Sequence, residues 1–264
     1  MTARVSIDPG PITTIWLDRA DKRNALDGAM MRELAAALDQ VATDPGARVI
    51  VLRGRGPMFS SGIDHQLLIE IMNEAKRVPF QHVHHELQDT FHRMARLAKP
   101  VVAAIHGACV GMALELALAC DLRLATADAV IGLPEVAFGI VPDVGGTTRL
   151  VRAVGEPRAR ELILTGRLVR ARTAERYGLI HDVADDAAGL DALLARRTAQ
   201  LAAHPPAALA AVKTLTQASA DMGTQSSFRL EGVVQSTLMA SPEQLAAQFP
   251  AALAFIKHAM ANPE

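Results

Sequence analysis

Cysteine and aromatic residues are scarce in this chain. Only two of its 264 residues are cysteines, Cys109 and Cys120, and only 3% are aromatic. Both cysteines lie in apolar stretches, which excludes the disulfide framework of a small secreted domain and predicts buried thiols in a reducing compartment. A chain of this length can bury a large core, so it needs no disulfide or metal for stability.

The chain also lacks an excess of positive or negative charge. The chain has 27 basic and 28 acidic side chains, a net charge of -1, and no run of basic residues. Nucleic acid is therefore not expected as a partner, since its binding requires concentrated positive charge. The first ten residues lack the apolar core of a signal peptide, so nothing predicts export and we expect a cytoplasmic protein.

Long hydrophobic runs are rare, and residues 100–120 form the one stretch of membrane-spanning length. Its 21 residues carry a single charge, Glu115. A carboxylate at the centre of a bilayer costs roughly 2.5 to 3.5 kcal/mol, and this stretch also contains His106 and two glycines. A buried strand, a turn and a helix therefore fit these residues better than a membrane span.

Strand and helix patterns alternate up to about residue 186. Strands are predicted at residues 12–17, 48–52, 101–105, 122–125 and 130–132, and helices from Asp27 through Val41 and at 111–119. After residue 186 the pattern is helical only, with breaks at Pro205 and Pro206, near Gly223 and at Pro242. The predicted class is α/β, with a core at residues 1–195 and a helical region at 196–264.

Three motifs carry most of the functional signal: FSSGID at residues 59–64, HGACVGMALELALACD at 106–121, and GLPE at 132–135 leading to VPDVGGTTR at 141–149. Together with DRADKRNAL at 18–26 and LTG at 164–166, they resemble the crotonase family of enoyl-CoA hydratases and isomerases. The resemblance implies a crotonase-like spiral of β-β-α units with a helical C-terminal region. That region would cover the active site and make the subunit contacts of a homotrimer or a dimer of trimers.

The residues around Gly107 and Gly111 form a turn into a helix, whose first N–H groups carry partial positive charge. Such groups suit the oxygen of a thioester that is attacked at its β-carbon or loses an α-proton. The resemblance implies an oxyanion hole made by the backbone N–H groups of Ile63 and Met112. The family usually has consecutive glycines where this chain has Gly111-Met112-Ala113, so we expect the Met112 side chain to narrow the pocket or tilt the amide.

Glu115 lies one turn into that helix, among apolar residues that offer it no polar stripe. Glu135 follows 20 residues later, beyond a helix and a returning strand, so the two carboxylates can meet across a pocket. Two acids in a dry site suit hydration, because burial and repulsion raise one pKa and divide the acid and base roles. Family hydratases have glutamates at both matching positions, and hydration of a 2-enoyl-CoA is the leading expectation.

Asp143 opens two alternatives. Most hydratases of the family have glycine at this turn, whereas dienoyl-CoA isomerases and some ring-modifying isomerases have a catalytic aspartate. Double-bond isomerisation through Asp143 is therefore the second expected reaction, unless Asp143 caps the helix that opens at Gly145 or Gly146. A function of another class, non-catalytic acyl-CoA binding, requires neither glutamate.

The resemblance also implies a binding path for coenzyme A, which is part of the substrate, so no separate cofactor is expected. The matching positions are Lys22, Arg23, Ala25, Ser61 and Asp64. Near the C-terminus, Lys257 or His258 would reach the phosphates of a ligand bound by a neighbouring subunit.

Histidines are the remaining candidates for chemistry. His82, His85 and Asp89 are spaced to share one helix face, which is compatible with a metal site. A solvated face is the better interpretation, because the matching family region varies and the family chemistry uses no metal. We therefore expect no metal. His106 lies in an apolar stretch and is expected to be a hydrogen-bonded core residue.

Overall fold

The structure is a computed structural model that describes residues 3–240 and 242–261, without the side chains at 81–83, 86, 242, 244 and 258. Two compact units divide between Ala210 and Ala211. The predicted boundary at 195/196 lies before this division, and the roles expected for the two regions stay predictions.

The elements of the first unit alternate as the sequence pattern predicts. Its strands are β1 (Val5–Asp8), β2 (Ile12–Leu17), β3 (Val49–Gly54), β4 (Val101–Ile105), β5 (Ala108–Val110), β6 (Leu122–Thr126), β7 (Val130–Gly132), β8 (Val169–Arg170) and β9 (Asp182–Ala184). Its helices are α1 (Gly28–Thr43), α2 (His65–Glu74), α3 (Phe80–Arg96), α4 (Met112–Leu118), α5 (Gly146–Val154), α6 (Glu156–Thr165), α7 (Ala171–Arg176) and α8 (Ala187–Ala203), with 3-10 helices at Ala20–Lys22 and Glu135–Phe138.

The helix-only pattern after residue 186 is confirmed. α9 (Pro206–Ser219) crosses the division between the units, and α10 (Thr224–Met239) and α11 (Pro242–Ala261) belong to the second unit. The breaks lie where proline and glycine predict them, and Pro206 and Pro242 are the first residues of α9 and α11, where the N–H that proline lacks would have no partner within the helix.

Six strands form the larger sheet in the order β1-β2-β3-β4-β6-β9, and β5, β7 and β8 form a second sheet. In the larger sheet β1 is antiparallel to β2, and the other pairings are parallel. β3 and β4 are almost entirely buried, which accounts for their nearly continuous apolar sequences. Alternate residues of β3 pack in two different hydrophobic clusters. Ile50 and Leu52 belong to one cluster, and Val49 and Val51 belong to the other.

Helix α1 is stabilised by an N-cap residue and by a stripe of buried apolar residues. The carboxylate of Asp27 accepts a hydrogen bond from the Met30 N–H at 2.9 Å, which satisfies a donor at the start of the helix. Met30, Leu34, Leu38 and Val41 recur at helical spacing and are buried. The predicted helix is confirmed.

Residues 100–120 form β4, a tight turn, β5 and α4, so the expected buried strand and helix are confirmed. Gly107 makes the turn at φ +63°, where a Cβ would lie 2.4 Å from the Pro57 carbonyl oxygen. β5 and β7 are neighbours in the smaller sheet, and the Gly111 N–H donates to the Gly132 carbonyl at 2.9 Å. The start of α4 and the segment after β7 therefore lie side by side. Within the described residues, no helix is long and apolar enough to cross a membrane.

Candidate active site

Glu115 is buried in the first turn of α4 and only 2% exposed. Its Oε2 accepts a hydrogen bond of 2.7 Å from the backbone N–H of Gly146, the first residue of α5. A Cβ at Gly146 would lie 2.6 Å from Cγ of Glu115, so this close approach requires glycine. The carboxylate is held at the N-terminus of a helix, where the backbone dipoles favour negative charge.

Burial nevertheless raises the pKa of Glu115 to about 8. The hydrogen bonds from the N–H groups of Gly146 and Val144 lower this pKa, while the charges of Glu135 and Asp143 raise it further. The desolvation of the ion therefore outweighs the two hydrogen bonds and favours the protonated form of this carboxyl group.

Glu135 is the first residue of the 3-10 helix that follows β7 and is 9% exposed. Its Oε2 is buried without a hydrogen-bond partner in the part of the chain that the structure describes. A Cβ at Gly111, which has φ +60°, would lie 3.0 Å from its Oε1, so the carboxylate lies against the turn that starts α4. Burial raises the pKa of Glu135 to about 6; its own backbone N–H lowers that pKa, and the charge of Asp143 raises it.

Asp143 lies in the loop before α5, near both glutamates, and its side chain is 38% exposed. Burial raises its pKa, which His84 on α3 partly offsets. The expected alternative role as a helix cap is wrong. The N-cap of α5 is Gly145, which leaves the Gly146 N–H for the carboxylate of Glu115. Asp143 is thus a third acid of the site.

The loop at residues 60–64 lies against the β5–α4 turn. Ser60 donates its N–H to the Ala108 carbonyl at 3.0 Å, and Gly62 adopts φ +95°. A Cβ at Gly62 would lie 2.5 Å from the Val110 carbonyl oxygen and 3.6 Å from the Met112 nitrogen. The backbone that leads into Ile63 therefore lies close to the start of α4.

Neither the Ile63 N–H nor the Met112 N–H has an acceptor among the hydrogen bonds of the described residues. Two such donors beside buried carboxyl groups are suited to an anionic oxygen. The Met112 side chain is 5% exposed and packs in the main hydrophobic cluster. The expectation that the Met112 side chain narrows the pocket or tilts the amide stays a prediction.

Asn24 holds this loop and was not identified from the sequence. It is fully buried at φ 53°, and its amide donates to the carbonyls of Arg55, Met58 and Phe59 at 2.8, 2.9 and 3.2 Å. Its Oδ1 accepts from the Arg19 N–H at 2.9 Å. The available signal was the asparagine inside DRADKRNAL, since asparagine tolerates positive φ better than most residues.

The residues expected along the coenzyme A path lie on two joined loops. Lys22, Arg23 and Ser61 are exposed, and the Ser61 N–H donates to the Arg23 carbonyl at 3.0 Å. Ala25 is buried, at 9% exposure, on the same loop as Lys22 and Arg23. The structure thus brings together both parts of the predicted path.

Asp64 has structural partners. Its carboxylate caps α2 through the Gln66 N–H and pairs with Arg19 at 2.5 Å. Burial would raise the pKa of Asp64, but the hydrogen bonds from Arg19 and Gln66 hold it below its usual value. Asp64 therefore helps to hold the loop that carries Ile63.

The other predicted histidines are peripheral. Among the described side chains, no group of three or more could hold a metal ion, and the side chain of His82 lies outside that set, as does that of His258. Lys257 is exposed on α11 of the second unit. His106 follows β4, and the hydrogen bond expected of it is confirmed, since its Nε2 lies 2.9 Å from the Gly56 carbonyl oxygen. The expected core position is wrong, because His106 is only half-buried.

Comparisons with known proteins agree with this arrangement. The family described as enoyl-CoA hydratase/isomerase matches residues 9–244. A Thermus thermophilus protein with an enoyl-CoA hydratase name is 36% identical over 232 residues, covering 88% of this chain and 90% of the relative.

Solved structures share the fold. An enoyl-CoA hydratase from Thermoplasma volcanium has a TM-score of 0.86 at 30% identity, covering 94% of this chain and 97% of its own. A Thermobifida fusca structure, described as an enoyl-CoA hydratase in complex with acetoacetyl-CoA, has a TM-score of 0.81 at 32% identity, covering 90% of this chain and 96% of its own. The predicted fold class is confirmed, and this chain belongs to the crotonase family of enoyl-CoA hydratases and isomerases.

Proposed function

We propose that this protein hydrates a 2-enoyl-CoA thioester. The observation that carries the proposal is the pair of buried glutamates, Glu115 with a pKa raised to about 8 and Glu135 with a pKa raised to about 6. Between these values the pair carries one proton, so the site offers one acid and one base near neutral pH. The proton belongs to the coupled pair, and we assign no separate roles to its members.

Hydration also requires a site that binds the thioester oxygen. The backbone N–H groups of Ile63 and Met112, which have no acceptor among the described residues, would supply it. When water attacks the β-carbon of a 2-enoyl thioester, negative charge moves to the thioester oxygen. The N–H groups of Ile63 and Met112 would bind that oxygen and stabilise the developing enolate, an effect worth about 3 kcal/mol per donor. The carbonyl would therefore lie beside the start of α4.

The protons balance within the pair. The ionised carboxylate takes one proton from water as its oxygen bonds to C3, and the protonated carboxyl gives its proton to C2. The product is a 3-hydroxyacyl-CoA, and the pair again holds one proton. Among the described residues the Oε2 of Glu135 has no hydrogen-bond partner, so this atom would be available to bind the water.

Coenzyme A would bind along the loops joined at Ser61 and Arg23. The positions proposed for it are Lys22, Arg23, Ala25, Ser61 and Asp64, and the complex of the Thermobifida fusca neighbour with acetoacetyl-CoA supports a CoA thioester as the ligand.

We propose that no separate cofactor is needed, that the chain forms a homotrimer or a dimer of trimers, and that it works in the cytoplasm.

Substitutions of the two glutamates test the hydratase proposal. Glu115→Gln and Glu135→Gln should each lower the hydration of crotonyl-CoA by 100-fold or more, measured by loss of enoyl absorbance and a mass gain of one water. Glu156→Gln is the matched control, because Glu156 is an exposed surface acid paired with Arg160. Failure of the unmodified protein to hydrate any 2-enoyl-CoA would contradict the proposal.

Double-bond isomerisation is the second candidate, because Asp143 is a third acid whose charge reaches both glutamates. A 3-enoyl-CoA and a 3,5-dienoyl-CoA should be converted in that case, and Asp143→Asn should abolish their conversion while hydration persists. If the protein binds CoA thioesters but converts none of these substrates, it is a non-catalytic acyl-CoA-binding protein.

A further inference from the structure

His84 and Gln88 lie one turn apart on α3 and reach the same atom of the loop before α5. The Nε2 of His84 lies 2.6 Å from the Asp143 carbonyl oxygen, and the Nε2 of Gln88 donates to that oxygen at 2.9 Å. Because a carbonyl oxygen only accepts hydrogen bonds, the Nε2 of His84 carries a hydrogen. One backbone carbonyl thus binds two side-chain donors from another element.

The His84 ring also faces the acid itself. Its Nε2 lies 3.5 Å from Oδ2 of Asp143, and the His84 side chain is only 15% exposed. Phe80, one turn earlier on α3, stacks on the imidazole with ring centroids 5.4 Å apart. The ring is therefore held on one side by an aromatic residue, while its Nε2 binds the carbonyl oxygen of Asp143 and lies near its carboxylate.

We propose that His84 and Gln88 are positioning residues, which hold Asp143 against the pair of Glu115 and Glu135 and thereby set the charge that the pair experiences. This inference rests on the proposed function, since it explains how a helix outside the acid cluster adjusts the acid–base chemistry of the site. Neither residue would touch the substrate.

The charged groups around Asp143 come from four elements. They are His84 on α3, Glu115 on α4, Glu135 on the 3-10 helix, and Arg149 on α5, which is coupled to Glu115. An ionised Asp143 near the glutamates favours their protonated forms. If the loop is released and Asp143 moves away, the glutamates ionise at lower pH. If His84 acted only as a positive charge, its removal would shift their ionisation to higher pH.

The direction of the shift is the test. The double variant His84→Ala with Gln88→Ala should move the alkaline limb of the hydration pH profile to lower pH by about one unit. His84→Gln keeps a donor for the carbonyl and should restore the native profile. His85→Ala is the matched control, because His85 is an exposed neighbour on α3 with no hydrogen bond among the described residues.

Asp143→Asn should reproduce the shift, and adding the α3 substitutions to it should cause no further change. A shift to higher pH, an unchanged profile, or an additional shift in the Asp143→Asn background would overturn the inference. If the native protein hydrates no 2-enoyl-CoA, the proposed function is wrong. Carboxyl titration by NMR with 13C-labelled glutamate tests the inference without substrate, with the same expected direction and the same contradicting outcomes.

Discussion

The backbone N–H of Gly146 donates a 2.7 Å hydrogen bond to Oε2 of Glu115, and the Cα of Gly146 lies so close that no side chain fits between them. The two residues are 31 positions apart in the chain. The contact joins the start of α5 to the first turn of α4 and fixes the direction of the most deeply buried carboxyl group of the site.

Gly146→Ala should reduce hydration by displacing the carboxylate of Glu115. The added Cβ would meet Cγ, Cδ and Oε2 of Glu115 at 2.6 to 2.8 Å, which forces the carboxylate out of position. We expect kcat to fall on the order of 100-fold, measured by steady-state hydration of crotonyl-CoA.

Gly232→Ala is the control for this substitution. Gly232 lies inside α10 with open space around its Cα, so alanine should preserve activity and stabilise the helix by about 1 kcal/mol. Full activity of Gly146→Ala would show that the position of Glu115 is not critical.

The stability of the protein should depend on pH through Glu115. Its pKa is about 8 in the folded protein and near 4.5 ordinarily, so the folded state binds the proton more tightly. The stability that this proton contributes is complete below about pH 4.5 and is lost as the pH rises through 8.

Glu115→Gln removes this dependence while keeping an oxygen for the Gly146 N–H. The variant should therefore match the native protein in urea unfolding at pH 4.5 and exceed it at pH 9. Each pKa unit corresponds to about 1.4 kcal/mol, so a difference of several kcal/mol is expected. Glu156→Gln should give parallel curves, and a constant difference for Glu115→Gln would contradict the raised pKa.

Gly62→Ala should damage the predicted oxyanion hole. A Cβ at this position would lie 2.5 Å from the Val110 carbonyl and would push the loop of Ile63 away from Met112. We expect kcat to fall on the order of 100-fold, as for the loss of one oxyanion donor. Gly10→Ala also has positive φ but meets only the Ile12 carbonyl at 3.7 Å, so it controls for backbone strain. Equal losses in both variants would point to strain alone.

Asn24→Ala should destabilise the protein by about 3 kcal/mol, because three carbonyls and the Arg19 N–H lose their buried partner. Asn24→Gly loses the same hydrogen bonds but tolerates φ 53° without strain. The glycine variant should therefore be less destabilised than the alanine variant, by up to about 1 kcal/mol, in urea unfolding. If both variants unfold like the native protein, Asn24 does not hold the loop.

Strands with enough residues to show a pattern were predictable. β2 and β4 have the predicted bounds, and the helix predicted from Asp27 begins at Gly28, with Asp27 as its N-cap. β7 has only three residues and was predicted at its observed bounds, whereas β5, β8 and β9, with two or three residues each, were not predicted. They form through pairing with distant strands, which a local pattern does not contain.

The candidate site likewise contains residues that the sequence indicated and contacts that only the structure shows. Glu115 was identified because an acid is costly in apolar surroundings, and Glu135 was identified from its place beyond the returning strand and from the motif resemblance. The alternative role of Asp143 as a helix cap is wrong, because Glu115, 31 positions from Gly146 in the chain, accepts the Gly146 N–H. His84 and Gln88 lie 59 and 55 residues before Asp143, so no local pattern could indicate their contact.

The sequence by itself determined which residues are candidates for the chemistry: a charge-poor segment with one carboxylate, a second acid after a short strand, and glycines at the turns. These features are local, because the cost of burying charge and the backbone freedom of glycine belong to single residues. Only the tertiary structure decided how the acids act on one another. Their raised pKa values, the glycine that admits Glu115 and the α3 side chains on Asp143 all result from distances between segments far apart in the chain.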